Sequence, residues 1–496
     1  MQRYLKTAVF SLGLAAYALT AYHTHGYHQA DEHFQIMEPG LAVTEARPMS
    51  ELPWEFPAKM RPSLQIWLGL GLTKTFAAAG IHNRFTQMTL IRILVALLSF
   101  LLIFRLTEYL IRHLASERAR VVALASVGLL WFMPYLHSRF SSEHLTAMAF
   151  VAGLLFLFKA EAAQRPPIFW AAAGFCFAAS FWLRFQTAFA LLPLVLYLVF
   201  ARRDWPYHFG FGERTYTEKI LPLALLLLGA LMLSAIALAA DRAFYGQTVV
   251  TPWHYFSENL LQGKAATFGV SPWWNYLRSF FKAAIPPIAV LGFITIGYFL
   301  FKRRISFIAW IFVVFLGVHF MIRHKELRFL FPLAVFLPAM IGEIADAFIQ
   351  RRSVSRTQQW EGKVIITAVL LLNFFALALS AFVPADIQVA ALKDISGIAA
   401  NQNIPVVAAE NLTLNGSDRF QFYAPNLPTA LFAGNKTPPA SGEYLRHIKW
   451  QRTRGEDYPR CKKLTGSWWH QIISYLPEDA LYTDRFTGYA ILKCQP

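Results

Sequence analysis

The chain has 496 residues, of which 56% are hydrophobic and only 15% charged, and its formal net charge is +17. A mean hydropathy of +0.39 excludes an ordinary soluble protein of this length and points to an all-α polytopic membrane protein. The basic excess is then an orientation signal first, and it gives no reason to expect a nucleic-acid partner.

A window of about 20 residues predicts about eleven transmembrane helices in chain order: 4–22, 88–107, 121–137, 144–160, 167–183, 186–201, 219–240, 283–302, 305–322, 327–349 and 363–383. A further apolar stretch at 63–80 contains Lys74 and internal glycines, and reads as a surface or re-entrant helix. The basic start before the first span resembles a secretory leader, but bulky AYHTHGYHQADEHF follows in place of a small-residue cleavage site. The first span is therefore expected to be a retained anchor.

Short inner loops should hold the Lys and Arg residues. With the N-terminus inside, they hold Arg3 and Lys6, then Arg112, Arg118 and Arg120, then Lys159 and Arg165. Arg202 and Arg203 follow, then Lys302, Arg303 and Arg304, and finally Arg351, Arg352 and Arg356. An odd number of spans leaves the segment from about 384 outside. The expected organisation is a transmembrane unit at 1–383, with external loops at 23–87 and 241–282, followed by an external tail at 384–496.

Four outward segments stand out in this topology: loop 23–87, the turn SRFSSE at 138–143, loop 241–282 and RHKELRF at 323–329. Arg184 also falls at the outer rim. RHKELRF breaks the positive-inside pattern, so its cations need a local reason, and an anionic group is the simplest one. The first loop reads HQADEHFQIMEP, with adjacent Asp31 and Glu32 and then Glu38. Neighbouring side chains point apart, so Asp31 and Glu32 should not share a proton, and one of them should face a cavity as a candidate general base. His23, His25, His28 and His33 make no recognised ligand spacing, and no metal is expected. In loop 241–282, Trp253, Trp273 and Trp274 fit an interfacial belt. Asp241, Asn259 and Gln262, recurring beside Gly246, Gly263 and Gly269, suggest a supporting role at a site.

DEHFQIMEP, LPWEFPAKMRPSL, DxxFYGxxVxTPWxYFxxNLLQGKxxxFGVSPWWNY and HKELRFLFP, in this order, resemble glycosyltransferase family 22. These are lipid-phosphate-mannose-dependent enzymes of the GT-C fold, and the likeness is greatest to the GPI mannosyltransferase type that adds the third mannose. The likeness runs from about residue 28 to 335. It implies transfer of a hexose, mannose first, from a polyprenyl (dolichyl or undecaprenyl) phosphate carrier to a glycan or glycolipid acceptor hydroxyl, with inversion. It also implies a lipid bilayer as the setting and Asp31 as the base, with Glu32 second.

The chemistry requires stabilisation of a departing phosphate in a dry site. Lys325 and Arg328, with Arg184, are expected to hold that phosphate, with a hydrogen bond from His324, while Glu326 orients Lys325. No cofactor is needed, because the lipid-phosphate sugar is itself a substrate.

In the tail, IPVVAAE and YAILKC read as strands and DIQVAALKDISGIAANQ as a helix, giving a small external α/β domain. Cys461 and Cys494 lie there and either pair or remain thiols, whereas Cys176 lies alone in an apolar span. A transporter or flippase of lipid-linked sugars is the rival reading, although no internal repeat relates the two halves. Short loops favour a bacterial inner membrane with the site facing the periplasm. An ER membrane with a lumenal site is the alternative, in which Asn411, Asn415 and Asn435 would be glycosylation sequons.

Overall fold

The computed structural model describes residues 2–161, 166–201, 211, 214–350, 356–402, 406–409, 422–423, 444–450, 461–466 and 488–494. Arg165, Arg202, Arg203, Arg351 and Arg352, used above for orientation, and Asn411, Asn415 and Asn435 lie outside the described residues. In chain order the helices are α1 (Gln2–His23), α2 (Asp31–Phe34), α3 (Met37–Thr44), α4 (Leu64–Ala78), α5 (Arg84–Leu110), α6 (Glu117–Leu129), α7 (Phe132–Leu136), α8 (Ser142–Glu161) and α9 (Ile168–Leu183). They continue as α10 (Ala188–Phe200), α11 (Tyr216–Tyr245), α12 (Thr251–Phe256), α13 (Asn275–Ala283), α14 (Pro286–Lys302), α15 (Phe307–Met321), α16 (Leu337–Gln350), α17 (Arg356–Phe382) and α18 (Ile387–Gln402).

Among the described residues, six helical segments are long and apolar enough to cross a membrane: Tyr4–His23, Arg84–Leu110, Ser142–Glu161, Thr217–Tyr245, Leu327–Gln350 and Trp360–Phe382. Four more apolar helices are shorter, at Ile168–Leu183, Phe185–Phe200, Pro286–Lys302 and Phe307–Met321. The span expected at 121–137 is instead broken into α6 and α7. Leu130, at the break, has an extended backbone, and Asn373 of α17 donates to Leu129 O (2.7 Å) and accepts from Trp131 N (3.0 Å). A polar side chain from another helix therefore takes up the backbone groups that the break frees.

The span expected at 327–349 begins as tight 3-10 turns from Leu327 to Phe336 before α16. Pro332 sits within these turns, has no N–H to give and crowds the preceding turn, which favours the tight turns over a regular α-helix here. Arg328 is thereby presented at an irregular entrance.

Helices α9 and α11 meet backbone to backbone. A Cβ on Gly174 would lie 1.9 Å from Leu226 O, and one on Gly229 would lie 1.9 Å from Ala171 O. Small residues at a membrane-helix crossing permit this approach and the dispersion contacts that come with it.

The long loops at 23–87 and 241–282 are bonded to each other. The expected surface helix appears as α4, and its start is stapled to α11 and α12 by Asp241. One Asp241 oxygen accepts from Ser63 N and Ser63 Oγ, both at 2.7 Å, and the other accepts from Thr251 Oγ1 at 2.7 Å. In the tail, α18 accompanies four strands, β1 (Val406–Ala409), β2 (Tyr444–Trp450), β3 (Cys461–Gly466) and β4 (Gly488–Cys494). They form one sheet in the order β1-β2-β4-β3, with β1 parallel to β2 and the other pairings antiparallel. Cys494 is disulfide-bonded and Cys176 is free. In the backbone register of β3 and β4, position 461 lies opposite Cys494.

Gly174→Ala should destabilise the protein by about 1–3 kcal/mol through over-packing. Gly297→Ala, where a Cβ meets nothing within 4 Å, should be neutral or stabilise by up to about 1 kcal/mol. Thermal unfolding of both variants in detergent checks the contrast in sign.

Candidate active site

Residues 24–35 enter the site from the end of α1, and buried arginines anchor their start. Arg92 Nε donates to Ala21 O at 3.0 Å, and Arg139 donates to Thr24 O at 3.0 Å, to Gly26 O at 3.2 Å and to the Thr24 hydroxyl. Cations on the last carbonyls of α1 complement its dipole and fix the exit direction of the chain. Gly26 then turns with φ +85°, and a Cβ there would meet Asp386 at 2.6 Å. One turn later the chain forms α2.

The two adjacent carboxylates of α2 diverge. Asp31 Oδ2 pairs with Arg328 Nη2 at 2.7 Å. Burial works against its ionisation, but Arg328, Arg61 and Arg184 outweigh it and hold its carboxyl below the ordinary range. Glu32 instead accepts from His28 N at 3.2 Å and faces a small cavity that it shares with Arg92, His33 and Tyr423. Burial pushes Glu32 up to about 7, against the pull of Arg139.

Arg328 is buried and gathers three carboxylates. Besides Asp31, its Nε donates to Glu326 Oε2 at 2.6 Å and its Nη1 lies 3.4 Å from Glu143 Oε1. Arg184 Nη1 reaches the same Glu143 oxygen at 3.0 Å, while its Nε donates to Gln186 at 2.8 Å and its guanidinium stacks 5.0 Å over Phe329. Glu143 is only 3% exposed, so it is a buried anion held between two guanidiniums. It was not among the expected site residues. The turn SRFSSE carried the signal, because a glutamate at the first turn of an outward-starting span is well placed to meet cations at the rim.

Lys325 differs from the two arginines. It is 8% exposed, and its Nζ donates to the backbone carbonyls of Ser271 (3.3 Å) and Ile322. Among the described residues it has no carboxylate partner, and burial pushes its ammonium below the usual lysine range. The expectation that Glu326 orients Lys325 is thus corrected: Glu326 turns to Arg328 and His324, and backbone carbonyls position the lysine. Arg328 and burial leave Glu326 with a lowered pKa, since burial alone would raise it but the paired guanidinium prevails. His324 faces Glu326 through Nε2 (2.8 Å) and Gly269 O through Nδ1 (3.2 Å). Both ring nitrogens therefore meet protein acceptors, and no donor remains for the phosphate bond expected of it. Ser271 N donates to Arg323 O at 3.0 Å, which ties loop 241–282 across RHKE.

The other expected supporting residues are structural. Asp241 is the staple described above. Glu38 is buried and binds His33 Nε2 at 2.8 Å and Phe422 N at 2.9 Å, joining the first loop to the tail. Asn259 bonds Tyr255 O at 3.0 Å within its own helical turn, and exposed Gln262 bonds Glu258 at 3.0 Å. Their position at the end of a polar loop suggested the site, but local turn satisfaction accounts for both. The histidines of the first loop are spread over separate partners: His25 over Arg92 and Lys393, His28 over Tyr135, and His33 over Glu38. Among the described residues no three metal-ligating side chains converge.

Apolar helices of membrane-spanning length, with long loops that bring together three carboxylates, two arginines and a lysine without a carboxylate partner, define a membrane protein with a polar centre beside its apolar helices. The chain belongs to the Alg9-like mannosyltransferase family, which it matches over residues 8–410. It is 27% identical over 375 residues to GPI mannosyltransferase 3 of Drosophila melanogaster, covering 72% of this chain and 59% of that one. It is 26% identical over 382 residues to GPI mannosyltransferase 3 of Yarrowia lipolytica, covering 75% and 68%. The chain thus spans about three-fifths of the fly relative's length. The fold is similar to that of ArnT from Cupriavidus metallidurans bound to undecaprenyl phosphate, with a TM-score of 0.52, 12% identity, and coverage of 98% and 97% of the two chains.

Glu143→Gln should leave the chain folded but release Arg184 and Arg328 from their shared anion. A buried charge pair broken on one side costs about 3–5 kcal/mol, so a fall in thermal stability of that order is expected. Arg184→Gln combined with Glu143→Gln should recover part of it, which a double-mutant cycle by thermal unfolding measures.

Proposed function

We propose that the protein transfers a mannose from a polyprenyl phosphate carrier to the hydroxyl of a glycan or glycolipid acceptor, with inversion at the anomeric carbon. The observation that carries this reading is the meeting of Asp31 with the RHKE segment, where Lys325 is a buried cation whose contacts are backbone carbonyls. Similarity to GPI mannosyltransferase 3 proteins supports the sugar and the acceptor class, and similarity to a structure bound to undecaprenyl phosphate supports the carrier. The transporter reading draws no comparable support.

In this reaction Lys325 takes the donor phosphate, with Arg328 and Arg184 behind it. The acceptor oxygen attacks the anomeric carbon as the bond from that carbon to the phosphate oxygen breaks. The electron pair leaves with the carrier phosphate, whose growing charge the cations stabilise in a site shielded from water. The acceptor proton goes to Asp31. Arg328 is bound to Asp31 before substrate arrives, so an incoming phosphate competes for the guanidinium and loosens the carboxylate for proton transfer. Glu32 faces the opposite cavity and keeps the charge of Arg139 and Arg92 balanced.

We infer eleven crossings with the N-terminus inside, α6 and α7 together making one broken crossing beside the ten apolar segments. This puts RHKE and both long loops on the outer side by the positive-inside pattern. That side is the periplasm of a bacterial inner membrane; the lumen of an ER membrane is the equivalent arrangement.

Asp31→Asn should lower transfer by about 10²–10⁴-fold while donor binding stays close to normal. Lys325→Ala should weaken binding of the polyprenyl phosphate sugar by roughly ten- to hundredfold, the loss of about 1.5–3 kcal/mol from a charged hydrogen bond. Assays with synthetic donor and a panel of glycolipid acceptors measure both. Normal donor affinity in Lys325→Ala, or normal turnover in Asp31→Asn, overturns the assignment.

A further inference from the structure

A second site lies on the same external ribbon. Beyond Asp31, helices α3 and α4 and the start of α5 enclose a cavity of about 170 Å³, with Phe422 of the tail as one wall. Met37, Leu41 and Leu70 make its lining apolar, while Lys74 and Arg84 stand at it with their charges. Arg84 is pre-positioned, since its Nη1 donates to Gln87 at 3.0 Å and its guanidinium lies 5.2 Å over the Phe422 ring. Neither cation has a carboxylate partner among the described residues, and neither is required by the reaction centre around Arg328.

An apolar pocket that ends in two unpaired cations complements a ligand with an apolar body and an anionic end. A neutral glycan would leave both cations without a counter-charge and set its hydroxyls against methylene groups. A bare inorganic ion would leave the apolar wall unused. We propose that this groove binds the phosphate-bearing headgroup and adjoining hydrocarbon of the acceptor glycolipid, with Lys74 and Arg84 on the phosphate. The volume suits a phosphate and the first few attached carbons, with the rest of the lipid in the membrane and the glycan directed toward Asp31. This rests on the reading of the chain as a transferase acting on a glycolipid, and it adds the place on the chain where the acceptor's phosphate is held.

The test uses purified full-length protein and dihexanoyl phosphatidic acid as probe, with dihexanoylglycerol, dihexanoyl phosphatidylglycerol and inorganic phosphate as comparisons, by calorimetric titration. The expected result is binding of phosphatidic acid and of the phosphodiester phosphatidylglycerol to wild type in preference to the neutral lipid and inorganic phosphate. Lys74→Glu, at an exposed position, should weaken that binding at least tenfold, and Leu70→Trp, which fills the groove, should abolish it. Neither variant should change the affinity for undecaprenyl phosphate. Equal binding by wild type and both variants overturns the proposal, and so does failure of phosphatidylglycerol to bind, because the phosphate that joins a glycan to a lipid is a diester. Equal binding of the neutral lipid or of free phosphate overturns it as well. The underlying reading fails separately, if Lys325→Ala leaves undecaprenyl phosphate affinity unchanged while phosphatidic acid still binds the groove.

Discussion

A guanidinium buried at the edge of a membrane bundle must be surrounded by counter-charge, and Arg328 meets that demand with Asp31, Glu143 and Glu326. Taking such a group out of water is costly unless its partners are close and well oriented. Those partners come from the first external loop, from the first turn of α8 and from the arginine's own segment. The cage therefore closes only when all three are in place, which makes it the point on which the geometry of the site depends. Glu143 extends the constraint to Arg184, so the site contains two guanidiniums against three carboxylates before any ligand enters. Lys325 stands apart from this cage, held by the backbone carbonyls of Ser271 and Ile322.

The surrounding fold keeps these groups in register by ordinary means. Pro332 favours tight turns over a regular helix in the segment that carries Arg328. Ser271 and Gly269 lay loop 241–282 across RHKE. Asp241 holds Ser63 to Thr251, which ties the first long loop to the second. Arg139 and Arg92 fix the start of the first loop, and Glu38 joins it to Phe422. The tail is thus attached to the ribbon that carries Asp31. Residues with polar side chains near a site are here mostly its scaffolding, while the groups with chemical scope are those whose charge the scaffold leaves incompletely matched.

Membrane architecture was legible in the sequence because hydrophobic length is a one-dimensional property: a stretch of about 20 apolar residues means much the same wherever it folds. The tail helix and two of its strands were legible for the same reason, through local periodicity. The motifs DEHFQIMEP and HKELRFLFP likewise marked both halves of the site, although some three hundred positions separate them. The break between α6 and α7 was not legible, because Asn373 from a distant helix satisfies the backbone there.

What the sequence determined by itself was therefore the class of molecule, its family motifs and the residue types at the site. Tertiary structure alone decided who pairs with whom. Asp31 and Glu32 are neighbours in the chain, yet one faces Arg328 and the other a cavity beside Arg92. Glu326 adjoins Lys325 but turns to Arg328, and Glu143, unremarked as a sequence position, becomes the anion between two arginines. Charge interactions act through space and are strong in a poorly screened interior, where a buried charge needs a partner within a few ångströms to offset its lost hydration. Their partners are set by which loops the fold brings within reach, and that information is absent from any single stretch of residues.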